Sequence, residues 1–399
     1  MRQHVYLSTN LWDGLWIIQQ PTCDQISRHE PVLYVERHVS LFTILRYPKL
    51  WTRLFSWMAG ARSRGPLLRV LAPLPLFHLG HQVPWLFRLE WAIQRLWIRA
   101  WAGTAPEGGR VLWMDNPMFS CVPGSMGESL SIYHVADEPS AFKESNVPIM
   151  ERLEADMLAR VDMVFAAAES LRDHKAELNP RSYTVWNAID ASVFSHEPPA
   201  TAFADIEAIA GPRVVFVGVF DEWCDLPLME AAATRLPHVQ FLFIGPVRVD
   251  VSVLKAHGNV HFLGRRDRSL IAGILRRAAA SLVAFRCIPL TERIVPLKIF
   301  EALAAGIMPI CTPFSPDLRR LESEGLVRLG ANADQFVEQI AQAIARDTSE
   351  ERRRLSEFGL KQTWADRWCD MSGRIEQHMN SLTAKPQNTP RAAKKGVGR

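Results

Sequence analysis

Short, largely apolar runs, separated by helical stretches, set the architecture of this chain. RVLWMD at 110–115, LSIYHV at 130–135, RVVFV at 213–217, VQFLFI at 239–244 and SLVAF at 281–285 are too short for helices. Runs of this kind read as strands buried on both faces, which requires parallel sheets covered by helices. The spacing predicts two such α/β units in series. In the first, QHVYL (3–7) and VLYVE (32–36) open the pattern, with a helix from near Pro21 between them. A helix over 147–160, a strand over 163–166, a helix from Ser170 and a strand over 183–186 complete it. The second unit has helices over 226–235, 270–279 and 297–305, strands over 259–263 and 308–311, and closing helices over 333–345 and 349–379. At 399 residues the chain exceeds one ordinary core, so two domains are expected. They are read as 1–194 and 211–382, joined by a Pro- and Ala-bearing linker at 195–210, with the final helix free to return to the first domain. Residues 383–399 carry five positive residues and no acid, and read as a disordered tail.

Composition narrows the classes. With 48% hydrophobic and 22% charged residues, a disordered or collagen-like chain is excluded. The net charge of +4 does not argue for nucleic acid. Six cysteines lie far apart, with no Cys-x-x-Cys pair, so reduced thiols of a cytosolic protein are expected rather than a disulfide framework or a zinc site. The opening MRQHVYLSTNLWDGLW is not a signal peptide, and no window of 18 uncharged apolar residues predicts a membrane span. One segment departs from the average. Residues 41–100 carry nine positive residues, Arg46, Lys49, Arg53, Arg62, Arg64, Arg69, Arg88, Arg95 and Arg99, against one acid, Glu90. Trp51, Phe55, Trp57, Trp85, Phe87, Trp91 and Trp97 are interleaved with them. Two readings stay open: an interfacial helix on an anionic membrane surface, or an ordinary helix with arginines on its wet face. Stacking on single-stranded nucleic acid is a third, with no module signature beside it.

Ligands of open parallel sheets bind beyond the carboxyl ends of the strands, so a cleft between two such domains is the expected site. The strongest local signal runs from Pro289 to Gly306: a polar loop, a helix start after Pro296, and a glycine at the helix end. Free N–H groups at such a start suit a phosphate. Lys298 stands one turn in, and Glu301, three residues on, shares its face. They fit a phosphate and ribose hydroxyls respectively, or a plain surface pair on a common helix.

Pro296, Lys298, Glu301 and Gly306 match a segment of the two-domain GT-B glycosyltransferases, and the chain resembles that group over about residues 5–375. It is most similar to the family-4-like proteins of bacterial exopolysaccharide and teichuronic acid assembly. Further matches are Gly218, Glu222, Trp223 and Asp225; Gly245-Pro246; and Asn259, Val260, Phe262, Leu263 and Gly264. In the first domain they are Asp137, Glu138 and Phe142; Asn187, Asp190 and Phe194; and the Trp12–Pro21 loop. The resemblance implies two Rossmann-like domains with parallel sheets facing across a cleft, and a nucleotide-sugar donor held by the second. Donor binding then falls to Glu301, Lys298, Arg286, Gly218, Arg293 and Pro296. The pattern departs from many family-4 enzymes in two places. Arg293 stands where they carry a second glutamate, Glu292 being off by one, and the loop 219–223 lacks their positive pair. Phosphate charge is therefore left to Arg286, Arg293 and Lys298 near the donor loop, with Arg265 and Arg266 after another strand.

The implied chemistry is glycosyl transfer to a lipid-linked or polysaccharide acceptor at the cytosolic membrane face. No Asp-x-Asp pair is present, so neither a metal nor another cofactor is expected. Transfer with inversion needs a base for the acceptor hydroxyl, and Asp137, following a buried strand, is the candidate. Glu138 beside it would raise its proton affinity if both point into the cleft. His134 and Asp115 are alternatives, and Trp12 is a further acceptor-side residue. A GT-B type epimerase and a degenerate, non-catalytic GT-B scaffold are the competing readings.

Overall fold

The computed structural model describes residues 1–14, 16–76, 84–143 and 145–383 and forms two compact units. The first comprises residues 1–167, 171–185 and 368 onward; the second comprises 168–170 and 186–367.

The first unit is built on eight strands: β1 (Gln3–Leu7), β2 (Val32–Val35), β3 (Ala61–Ser63), β4 (Leu68–Leu71), β5 (Arg110–Met114), β6 (Leu130–Val135), β7 (Met163–Ala166) and β8 (Ser182–Thr184). Their order is β3-β4-β2-β1-β5-β6-β7-β8, parallel throughout except for the edge strand β3, which runs antiparallel to β4. Every residue of β1, β2, β5, β6 and β7 is buried, as two covered faces require. One face is an aromatic stack. Tyr6 lies on Trp113 at 5.9 Å between centroids, and Trp113 on Phe165 at 5.9 Å. Trp368, Met371 and Ile375 join that core from the last helix, Trp364–Thr383. Their spacing of three and four residues places them on one helix face.

The second unit holds β9 (Arg213–Val217), β10 (Gln240–Ile244), β11 (Val260–Gly264), β12 (Ala280–Val283), β13 (Met308–Cys311) and β14 (Arg328–Leu329). All pair in parallel, in the order β11-β10-β9-β12-β13-β14. Asn259 clamps the sheet to its covering helix. Its amide donates to the carbonyls of Ala233, Leu236 and Val239 at 3.0–3.1 Å.

Four expectations are corrected. The basic segment 41–100 also supplies two strands, β3 and β4, which extend the sheet beyond β2. Arg69 interrupts the apolar run of β4 and points outward while Leu68, Val70 and Leu71 are buried. Residues 195–210 are part of the second unit rather than a loose linker. Phe203 and Ile206 are fully buried there, and the Arg277 guanidinium lies 3.8 Å from the Phe203 ring centroid. The chain changes unit at Val185, ahead of the boundary read at 194. The closing helix read over 349–379 is two helices, Ser349–Gly359 and Trp364–Thr383. The tail reading falls on residues 384–399, outside the described residues.

Candidate active site

In the second unit the chain runs outward from β9 through β10 to β11, then crosses back to place β12 on the other side of β9. That reversal is a topological switch point, and the loops beyond the carboxyl ends of β9 and β12 form its crevice. These loops are knitted together. Asp225 N–H donates to the Ala284 carbonyl at 2.9 Å, and Arg286 N–H donates to the Trp223 carbonyl at 2.8 Å. Arg286 also donates a guanidinium N–H to the Glu222 carbonyl at 3.2 Å. Thr291, buried, ties the following turn back on itself through the carbonyls of Arg286 and Ile288. Arg293 lies in that turn, ahead of Pro296 and the helix Leu297–Ala304.

Two glycines allow backbone and side chain to close up here. Gly245 has φ +139°, and a Cβ on it would sit 1.9 Å from the Gly218 carbonyl oxygen. Gly218 has φ +150°, and a Cβ on it would sit 2.6 Å from Lys298 Nζ. The Lys298 ammonium therefore lies directly against the end of β9. It rests 4.3 Å from the Phe216 ring centroid and 4.6 Å from that of Phe285. It makes no ion pair and no hydrogen bond with a described residue. Burial of this cation lowers its pKa to about 8. Glu301, one turn on and half-buried, likewise makes no hydrogen bond or ion pair with a described residue. Burial raises its pKa, opposed by Arg268 and Lys298. Pro296 is the helix N-cap and supplies no side-chain cap, so the first-turn N–H groups stand beside Lys298 without one. An unmet cation, free helix N–H groups and a free carboxylate on one helix can bind a diphosphate and a neighbouring diol.

In the first unit the carboxyl end of β6 leads to Asp137. Its carboxylate makes no hydrogen bond or ion pair with a described residue, and burial raises its pKa to about 6. The other acceptor-side candidates are committed elsewhere. Glu138 does not act on Asp137 as a like charge. It accepts from the fully buried Lys175 at 2.9 Å and contacts His174 at 2.9 Å, and Lys175 also donates to Glu154 at 2.8 Å. Asp115 accepts from the Ser8 hydroxyl at 2.7 Å and the Thr9 N–H at 3.0 Å, tying β1 to β5. Burial outweighs these bonds and lifts its pKa to about 6. His134 is a core residue, with Nδ1 2.9 Å from the Tyr6 hydroxyl, and burial pushes its pKa down to about 3, so it is neutral. Trp12 packs edge-on against Tyr34 at 5.1 Å, and its backbone N–H donates to Glu36 at 2.9 Å. Trp12 and His134 are thus packing residues. Lys175 was missed because nothing within its own helix marks it as buried; its partners lie 37 and 21 residues away. Among the described residues no group of three or more His, Cys, Asp and Glu is placed to hold a metal ion.

Residues 211–346 match the family Glycosyl transferases group 1. TuaH of Bacillus subtilis (strain 168), named for teichuronic acid biosynthesis as a glycosyltransferase, is 23% identical over 211 residues, 49% of this chain and 53% of its own. The chain thus spans about half the length of the curated relative it matches. Among solved structures, a sucrose-phosphate synthase from Thermosynechococcus elongatus matches with TM-score 0.71 and 14% identity, over 96% of this chain and all of its own. An E. coli trehalose-6-phosphate protein bound with UDP-2-fluoro glucose matches with TM-score 0.66 and 12% identity, over 98% of this chain and all of its own. Anabaena Alr3699/HepE in complex with UDP-glucose matches with TM-score 0.63 and 12% identity, over 96% of this chain and all of its own.

Proposed function

We propose that this chain, a GT-B fold protein related over residues 211–346 to the group 1 glycosyl transferases, moves a sugar from a nucleoside-diphosphate donor to a lipid-linked or polysaccharide acceptor. We place it in exopolysaccharide or cell-surface glycan assembly, as a peripheral protein on the inner face of the cytoplasmic membrane. The observation that carries the reading is the Lys298 ammonium, held without a carboxylate against Gly218, on the first turn of the helix Leu297–Ala304. A cation kept half-buried and unpaired is an incomplete site for an anion. The UDP-2-fluoro glucose and UDP-glucose held by two proteins of the same fold support a uridine nucleotide as the first donor to try. Among the described residues no helix is long and apolar enough to cross a membrane, which is consistent with peripheral attachment.

In this reading Lys298 and the helix N–H groups stabilise the leaving diphosphate, and Glu301 accepts hydrogen bonds from ribose hydroxyls. Arg286 and Arg293 border the same loop. Asp137 takes the proton of the acceptor hydroxyl, and transfer inverts the anomeric carbon. Its pKa of about 6 leaves it ionised at neutral pH and still basic enough to accept a proton. Transfer proceeds without a metal. The test is calorimetric titration with UDP, GDP and dTDP and their sugar conjugates, repeated with chelator. Binding of a diphosphate that is lost in Lys298→Ala supports the reading. Equal affinity in wild type and variant overturns it, and a chelator that abolishes transfer overturns metal independence.

A further inference from the structure

The helix Pro84–Ala102 is amphipathic in the wrong sense for a helix facing water. Its inward positions are Phe87, Glu90, Gln94, Ile98 and Ala102, all buried, and two of the five are polar. The buried polar pair is used. Gln94 donates to the Leu74 carbonyl at 2.7 Å and accepts from the Leu74 N–H at 2.9 Å, and Glu90 lies 3.6 Å from His38 Nε2. The outward stripe is apolar: Trp85, Leu89, Ile93 and Leu96, exposed by 68%, 50%, 40% and 67%. Their steps of four, four and three residues keep them on one face. The pattern extends to the two short helices before it. Phe42 and Leu45 of Leu41–Arg46, and Phe55 and Met58 of Thr52–Met58, are exposed, as are Tyr47 and Trp51 between them. Trp57 meets Trp97, at 6.4 Å between centroids, where the second short helix reaches the long one. Ten of the eighteen large apolar side chains exposed among the described residues fall between 42 and 96, so this is a concentrated surface and not the ordinary scatter.

Cations border the stripe. Arg88, Arg95 and Arg99 rise from the same helix, and none has an ion pair or hydrogen bond with a described residue. Arg160, at the end of the helix Val147–Arg160, is unpaired in the same way. Arg160, Arg95 and Arg88 all act on the Cys121 thiol, which places them around one spot. A protein partner would be expected to meet the arginines with carboxylates and the stripe with a shaped groove. A bilayer interface meets both at once, with acyl chains under the apolar stripe and phosphates beside the guanidinium groups.

We propose that the helix Pro84–Ala102 lies in the plane of an anionic bilayer, its Trp85–Leu96 stripe seated at the headgroup boundary and Arg88, Arg95, Arg99 and Arg160 bound to lipid phosphates. This deepens the reading of a lipid-linked acceptor, on which it rests, by naming the element that brings the enzyme to the lipid.

The test uses the full chain and vesicles of phosphatidylcholine, with and without 30% phosphatidylglycerol, sedimented at low and high salt. Wild type is expected to bind the anionic vesicles at low salt, more weakly at high salt, and the neutral ones little. Arg88→Gln/Arg95→Gln/Arg99→Gln should lower partitioning about 100-fold, roughly fivefold per arginine. Leu89→Ser/Ile93→Ser should lower it at least tenfold while leaving the helix content unchanged, because both side chains are exposed. Equal binding to neutral and anionic vesicles, or apolar variants that partition like wild type, would overturn the proposal. So would a wild-type dimer in sedimentation velocity that Leu89→Ser/Ile93→Ser disperses, since the stripe would then be a protein interface. UDP titration of the same variants separates this from the donor reading. Unchanged UDP affinity with lost vesicle binding supports the assignment to the helix. Absent UDP affinity in wild type would remove the donor reading and leave the vesicle results to judge the helix by themselves.

Discussion

Lys298 carries a burial cost in the free protein. In the unfolded chain a lysine holds its proton up to about pH 10.4. Here burial lowers the pKa to about 8, so at every pH below 8 the folded chain keeps a cation that its surroundings disfavour. The penalty fades only as pH rises from 8 toward 10 and the group loses its proton in both states. Lys298→Met should therefore stabilise the free protein at pH 7 by about 1–3 kcal/mol, read as a rise in melting temperature, while weakening UDP binding at least tenfold. A variant less stable than wild type would mean that the two aromatic faces already compensate the charge. The sign for binding follows from the same value. A bound diphosphate favours the protonated amine, so affinity is full below about pH 8 and declines as pH rises through it. The Lys298→Met profile should be flat there. Asp137 works in the opposite direction. In its proposed role as base it must be ionised, so turnover should rise with pH through about 6 and then level off. Asp137→Asn should remove that limb and lower turnover 10²–10⁴-fold with donor affinity unchanged. A product keeping the donor's anomeric configuration would reject inversion and leave Asp137 an acceptor-positioning group. How far single residues could be read in advance depended on where their partners lie. Lys298 and Glu301 share one helix turn, and their common face was legible from spacing. The fate of Glu138 was not, because the ammonium that claims it stands 37 residues away. His134, offered only as an alternative base, lies in the core because both faces of β6 are covered.

At the scale of elements, the legible strands were those with an apolar run of four or five residues, and the missed ones were short or broken by a charge in the middle. RVVFV and MPIC stood out, whereas Leu68–Leu71 carries Arg69 on its outer side and Arg328–Leu329 is only two residues long. The ends of strands matter more for the site than their middles. β9 and β10 finish in glycines that let two backbones and one lysine converge, and this closeness can be tested directly. Gly245→Ala would put a methyl 1.9 Å from the Gly218 carbonyl oxygen, at a φ of +139°. Neither atom belongs to a flexible side chain, so the strand end must move, at a cost of about 2–4 kcal/mol. Moving Gly218 also moves the floor under Lys298, and UDP affinity should fall with stability. Gly258→Ala, with nothing within 4 Å of the added carbon, is the matched control and should leave both unchanged. A Gly245→Ala protein that melts and binds UDP like wild type would show that the two strand ends are not held as closely as drawn.

The chain as a whole crosses between its two units more than once, and its last helix belongs by contact to the unit that its first residues begin. Trp368 and Ile375 fill the face of the first sheet beside Trp113, although the second unit lies between them in sequence. The sequence left that helix free to return to the first domain without fixing its destination. That is decided by an aromatic face assembled from β1, β2, β5 and β7, which no local pattern displays. The arrangement separates the two stabilities in a measurable way. Trp368→Ala deletes a buried indole from the first core and should cost about 3–5 kcal/mol there. If UDP is held, as proposed, by residues of the second unit, it should stabilise that unit by about 2.7 kcal/mol at 100 times its dissociation constant. Scanning calorimetry of wild type and Trp368→Ala, each with and without UDP, should show two transitions that respond separately. One falls with the mutation and ignores the nucleotide; the other rises with the nucleotide and ignores the mutation. If a single transition answers to both, the units unfold together, and the last helix stabilises the donor site as well as the first core. If UDP raises the transition that Trp368→Ala lowers while the other stays fixed, the nucleotide is bound by the first unit, and the assignment of Lys298 to the diphosphate falls with it.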